Sequence, residues 1–239
     1  MLLLAAAVGL QAQELKHIKV VLVGDSTVAT EGGWGPGFCA RLRAEVDCVD
    51  LAANGRSSRS FINEGRWAKA LEEKGQFYFI QFGHNDQKDP PTVHTAPETT
   101  FAEYLRRYIA DVRAVGGVPV LVTSLSRRNY KEGKLIVDPL HEYAAATRKV
   151  AAEEHVPVVD LYQRSTALLE GMTQEQADRF DAATHADAKA EGASAAKPDR
   201  THLNDLGKET FGEMVVELVA EGVPALKEYV RLRPVAAVK

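Results

Sequence analysis

Five runs of strand length in this chain are mostly apolar at consecutive positions: "IKVVLV" (18–23), "CVDLA" (48–52), "FYFIQF" (77–82), "VPVLVT" (118–123) and "VPVVD" (156–160). A strand that is apolar at consecutive positions, instead of alternate ones, has to be covered on both faces. Between these runs lie segments with apolar residues at three and four spacing: "FCARLRAEV", "GRWAKALEEK", "TFAEYLRRYIADVRAV" and "PLHEYAAATRKVAAEE", with "NDLGKETFGEMVVELVAEG" following the last run. Strand and helix alternate, which predicts a three-layer α/β/α sandwich around a five-stranded parallel sheet. In such a fold ligands bind beyond the carboxyl ends of the strands, so functional residues are sought just after each run.

Length and composition place limits on that reading. A chain of 239 residues with 45% hydrophobic and 26% charged residues suits one globular domain and argues against disordered, fibrous and membrane classes. A net charge of −4 provides no broad basic field, so nucleic acid is not an expected partner and nothing reads as a bilayer span. The opening "MLLLAAAVGLQAQ" resembles the apolar core and cleavage end of a secretory signal, although it lacks a basic leading segment. The expectation is a truncated signal over residues 1–12, one domain over 13–239, and a secreted or periplasmic monomer. Residues 181–198, small and polar, read as a long surface loop. Cys39 and Cys48 show no metal spacing; two small buried thiols are expected, with a disulfide as the alternative in an exported chain.

The strand ends carry the chemistry. "GDS" after the first run places Ser26 where the backbone turns out of the sheet. "ANGRSSRSF" after the second offers the unobstructed N–H of Gly55, and "FGHND" after the third offers the neutral amide of Asn85. Near the C-terminus, "KPDRTHLN" holds Asp199 and His202 three apart, a spacing that in a tight turn or first helical turn lets the carboxylate hold one imidazole nitrogen and leaves the other to take a proton. Asp138 and His141 share that spacing, but Asp138 precedes Pro139 and reads as a helix cap. His84 directly precedes Asn85, and its side chain is expected to point away. Nucleophile, oxyanion donors, base and orienter are thus all present. No GxSxG elbow, HExxH, GxxxxGK or GxGxxG occurs, which removes the common α/β-hydrolase, zinc-peptidase and nucleotide readings.

With Ser26 in "GDS", Gly55 in "NGRS", Asn85 in "GHND" and His202 with Asp199 in "DRTH", the chain resembles the SGNH, or GDSL, hydrolases from about residue 18 to 220. Within that family "GDSTVA", "GWGPGF", "NGRSSRSF", "QFGHNDQKD" and "TSLSRRNY" are most similar to rhamnogalacturonan acetylesterases. The resemblance implies a flavodoxin-like fold and a secreted esterase that removes acetyl groups from pectin. It also implies a Ser26–His202–Asp199 triad, an oxyanion hole of Ser26, Gly55 and Asn85, and neither metal nor organic cofactor.

Since that polymer is polyanionic, Arg56, Arg59, Arg127 and Arg128, all following strand ends, are candidate carboxylate contacts, with a solvated surface charge as the alternative for each; Trp34 reads first as packing and second as a candidate sugar-stacking residue. The competing readings are an esterase for acetylated xylan or a lysophospholipid, and a catalytically silent carbohydrate-binding protein.

Overall fold

Four strands and the short fifth form one parallel sheet in the order β2-β1-β3-β4-β7: β1 (Ile18–Gly24), β2 (Val46–Asp50), β3 (Phe77–Gln81), β4 (Val118–Val122) and β7 (Val158–Val159). The computed structural model describes residues 15–183 and 199–233, so the leader expected over 1–12 lies outside the described residues. The sheet is covered on both faces, as strands apolar at consecutive positions require. Along β1, Val20 and Leu22 join one buried cluster and Val21 and Val23 the other. The first cluster packs against α1 (Gly35–Cys39), α6 (Leu161–Glu170) and α8 (Asp205–Gly222) through Phe38, Leu161, Phe211 and Val215. The second packs against α2 (Ser58–Asn63), α3 (Arg66–Glu72), α4 (Ala102–Ala114) and α5 (Leu140–Glu153) through Phe61, Trp67, Tyr108, Ile109 and Val150. Each fully buried Leu, Val or Phe in these layers contributes about 1.5–3 kcal/mol relative to exposure.

The first strand enters the middle of the sheet, and the chain then moves outward first to one side and, from β3 onward, to the other. That reversal sets the carboxyl ends of β2, β1 and β3 side by side and opens a crevice between β1 and β3.

Several expectations are corrected. The segment "FCARLRAEV" is helical only to Cys39, because Arg41–Arg43 pairs with the C-terminal segment: Arg43 N–H donates to Tyr229 O at 2.9 Å and Arg231 N–H to Arg41 O at 2.8 Å. Cys39 and Cys48 are not free thiols but a disulfide, their Cα atoms 5.7 Å apart, which ties the end of α1 to β2. Asp181–Ala183 is not loop; it is strand β8, antiparallel to β9 (Asp199–Leu203), and the rest of the loop expected over 181–198 lies outside the described residues. A small hairpin of β5 (Tyr130–Lys131) and β6 (Lys134–Leu135) precedes α5, and the short α7 (Gln174–Asp178) precedes β8. No helix among the described residues is long and apolar enough to cross a membrane.

Candidate active site

Ser26 stands on a turn whose shape is set from beneath. Asp25 is fully buried, and its Oδ1 accepts from the N–H and the hydroxyl of Thr27 at 2.9 and 2.7 Å. Gln81, at the end of β3, donates to Thr27 Oγ1 at 2.6 Å and accepts from the Trp34 indole at 2.8 Å. This buried chain of bonds binds the strand ends together and holds Ser26 at the crevice. Burial pushes the Asp25 carboxyl up, but His84 and the two Thr27 donors outweigh it and hold it below its ordinary value. His84 lies under the turn, Nδ1 3.7 Å from Asp25 Oδ2 and 3.5 Å from Thr27 Oγ1, and burial pushes its imidazole down. It is buried against these two groups, and the imidazole that meets Ser26 is a different one.

From the other side of the crevice comes His202. Its Nε2 is 2.7 Å from Ser26 Oγ and its Nδ1 is 2.6 Å from Asp199 Oδ2. The sequence spacing points to a turn or helical start, whereas both residues sit on strand β9. The carboxylate bends back there because its other oxygen accepts from the N–H groups of Thr201 and His202 at 3.1 and 3.0 Å. The His202 hydrogen bond holds Asp199 well below the usual carboxylate range; partial burial opposes this and the two backbone donors add to it. An ionised Asp199 fixes the proton on Nδ1 and leaves the Nε2 lone pair to accept the Ser26 hydroxyl proton.

Two features that sequence reasoning missed hold the histidine. Gly32 lies against it: a Cβ there would come within 3.0 Å of His202 Cβ, and Gly32 O accepts from Leu203 N–H at 2.9 Å. Arg128 donates from Nη2 to His202 O at 2.8 Å and from its backbone N–H to Arg200 O at 3.1 Å, while its Nε is paired with Asp181. Burial pushes the Asp181 carboxyl up to about 6, with Arg128 opposing.

On the oxyanion side, Gly55 turns the chain with φ +78°, a conformation that favours glycine, and neither its N–H nor that of Ser26 has a protein acceptor among the described residues. Asn85 is buried, and its Nδ2 donates one hydrogen to Arg56 O at 3.0 Å, which leaves the second. Three strand-end loops therefore bring a hydroxyl, two backbone N–H groups and an amide to one crevice, and a hairpin adds an imidazole and a carboxylate.

Other sequence candidates are placed elsewhere. Trp34 is not a sugar platform: it is fully buried, against Phe38 and Gln81. Arg128 is not a substrate contact either, since it is fully buried and committed to Asp181 and the His202 strand. Arg56, Arg59 and Arg127 reach the surface with partners: Arg56 bonds Glu64 at 2.9 Å, Arg59 bonds Pro91 O at 2.6 Å, and Arg127 bonds Asp138 at 3.0 Å. The second Asp-x-x-His pair forms no relay, because Asp138 caps Leu140 N–H at 2.8 Å and the exposed His141 meets the Asp138 backbone carbonyl instead. No group of three or more His, Cys, Asp or Glu among the described residues is arranged to hold a metal ion.

A model of the GDSL-like lipase/acylhydrolase family matches residues 22–210, a span that contains every residue of this crevice. The chain belongs to that family. It is accordingly a carboxylic ester hydrolase. A probable rhamnogalacturonan acetylesterase, YesY of Bacillus subtilis, is 32% identical over 224 residues, covering 90% of this chain and 98% of that protein. The rhamnogalacturonan acetylesterase RhgT of the same organism is 35% identical over 224 residues, covering 88% and 91%. Among solved structures, an acetylxylan esterase of Geobacillus stearothermophilus shares the fold with a TM-score of 0.61 at 16% identity, over 85% of this chain and 94% of that one.

Proposed function

We propose that this ester hydrolase removes acetyl groups from acetylated rhamnogalacturonan by acyl transfer through Ser26. The observation that carries the mechanism is the relay in which Ser26 Oγ, His202 and Asp199 are linked at 2.7 and 2.6 Å. His202 Nε2 takes the Ser26 proton as Oγ attacks the acetyl carbonyl, and the N–H groups of Ser26 and Gly55 with the Asn85 amide meet the oxyanion. The tetrahedral adduct collapses with cleavage of the bond to the sugar oxygen, His202 gives its proton to that departing oxygen to free the sugar hydroxyl, and acetyl remains on Ser26. Water, deprotonated by His202, repeats the attack and releases acetate and free serine. The complete relay favours this reading over a silent binding protein, which needs none of the three groups in register.

The substrate part rests on the two Bacillus relatives named for rhamnogalacturonan. Export is supported by the Cys39–Cys48 disulfide, a bond that persists in oxidising compartments. Acetate release from acetylated rhamnogalacturonan beside acetylated xylan tests the reading. The first polymer is expected to be deacetylated with the higher kcat/KM, and p-nitrophenyl acetate to be preferred over the octanoate, because added methylenes need room that an acetyl-sized pocket lacks. Preference for xylan or octanoate would leave the esterase standing and remove the pectin assignment.

A further inference from the structure

The Asn85 amide is bonded from both ends, and the second end is a cation outside the relay. Lys88 Nζ donates to Asn85 Oδ1 at 2.5 Å, while Asn85 Nδ2 donates to Arg56 O at 3.0 Å. The lysine reaches back because residues 85–88 form a turn, Lys88 N–H donating to Asn85 O at 3.1 Å. That turn is itself fixed by Asp86, whose buried carboxylate accepts from Gly83 N–H at 3.0 Å, Thr95 Oγ1 at 2.7 Å and Ser58 Oγ at 2.5 Å. Arg56, Arg127 and Arg128 are each paired with a carboxylate, whereas Lys88 has none within 4.0 Å among the described residues.

We infer that Lys88 is a positioning residue of the reaction, which locks and polarises the Asn85 amide as an oxyanion donor. The inference rests on the proposed role of Asn85. An asparagine amide has two orientations that differ by exchange of oxygen and nitrogen. Here the exchanged orientation would turn the NH2 group toward an ammonium and the carbonyl oxygen toward the Arg56 carbonyl, two repulsive contacts at once. The ammonium therefore fixes which end of the amide carries the N–H groups. A charge-assisted bond at Oδ1 also draws electron density away from Nδ2 and strengthens donation by its remaining N–H. That gain is largest when the acceptor is an oxyanion, so it belongs to the transition state more than to bound substrate.

The test is a cycle of Lys88→Met, Asn85→Ala and the double variant, with Lys88→Arg as the conservative control, assayed on p-nitrophenyl acetate and on acetylated rhamnogalacturonan. Lys88 is exposed, so these changes at position 88 leave the core intact. Lys88→Met is expected to lower kcat on both substrates by about tenfold with KM within about twofold, and Lys88→Arg to recover most of the loss. In the Asn85→Ala background the same Lys88→Met change is expected to cost nothing further, since there is no amide left to act on. An equal loss in both backgrounds overturns the inference. So does a Lys88→Met variant whose only defect is a raised KM for the polymer, which makes the lysine a substrate contact. If Asn85→Ala is costly and Lys88→Met is silent, the inference fails alone; if Asn85→Ala is itself silent, the oxyanion reading of Asn85 fails first.

Discussion

His202 and His141 have the same sequence setting, an aspartate three residues earlier, and differ in what that aspartate does. Asp199 turns both oxygens to the His202 segment, whereas Asp138 is spent on Arg127 and a helix start. His202→Ala is therefore expected to lower kcat/KM for p-nitrophenyl acetate by about a thousandfold or more, and His141→Ala to leave it nearly unchanged. Because the folded Asp199 carboxyl is held below its ordinary value, the stability it contributes is fully present above the unfolded carboxylate range and is lost progressively as pH falls from that range to the lower folded value. Asp199→Asn should then flatten the fall of stability on acidification across that window, as read by chemical denaturation at a series of pH values. An equally steep fall in the Asp199→Asn variant would contradict this arrangement. Ser26, Gly55 and Asn85 are legible in the sequence because each lies within a few residues of an apolar run. Arg128 as a substrate contact is misread there, and the packing of Trp34 is only one of two readings, because the buried partners that claim them, Asp181 and Gln81, lie 53 and 47 residues away.

The element that brings base and orienter to the serine is the β8–β9 hairpin, and the sequence conceals it within a polar stretch. Its anchorage is long-range: Arg128 holds the His202 carbonyl from 74 residues away, and Leu203 binds Gly32. Arg128→Met strands the buried Asp181 carboxylate and is expected to destabilise the fold by about 3–5 kcal/mol. Arg128→Met with Asp181→Leu removes both charges and should restore most of that stability in chemical denaturation. Activity should not return with it, because His202 O still lacks its donor. Recovery of kcat/KM in step with stability would reduce Arg128 to a structural ion pair. The helices are legible where three and four spacing runs for several turns, as in α4, α5 and α8. The shorter α2, α6 and α7 are made by local capping, Ser57 and Thr173 each closing a reciprocal box and Asp160 accepting from Gln163 N–H, and they escape a reading by periodicity.

At the scale of the molecule, the five-stranded sheet follows from strands that are apolar at consecutive positions, and its strand order accounts for the site. With β1 between β2 and β3, the loops bearing Gly55, Ser26 and Asn85 are neighbours, so residues from three separate stretches of the chain meet at one crevice. What the sequence could not show is the return of distant segments: the C-terminal segment that ends the first helix early, and the disulfide that fastens that helix to β2. All of this geometry converges on a single chemical claim, that Ser26 carries the acyl group. Rapid quenching of the enzyme with p-nitrophenyl acetate, followed by peptide mass analysis, tests it directly. The account predicts the added mass of one acetyl group on the peptide containing Ser26, and a folded Ser26→Ala variant with neither that adduct nor more than about a hundredth of the rate. Acetylation of a different residue on the path of turnover, or a Ser26→Ala enzyme that still hydrolyses the ester at near its original rate, would contradict it.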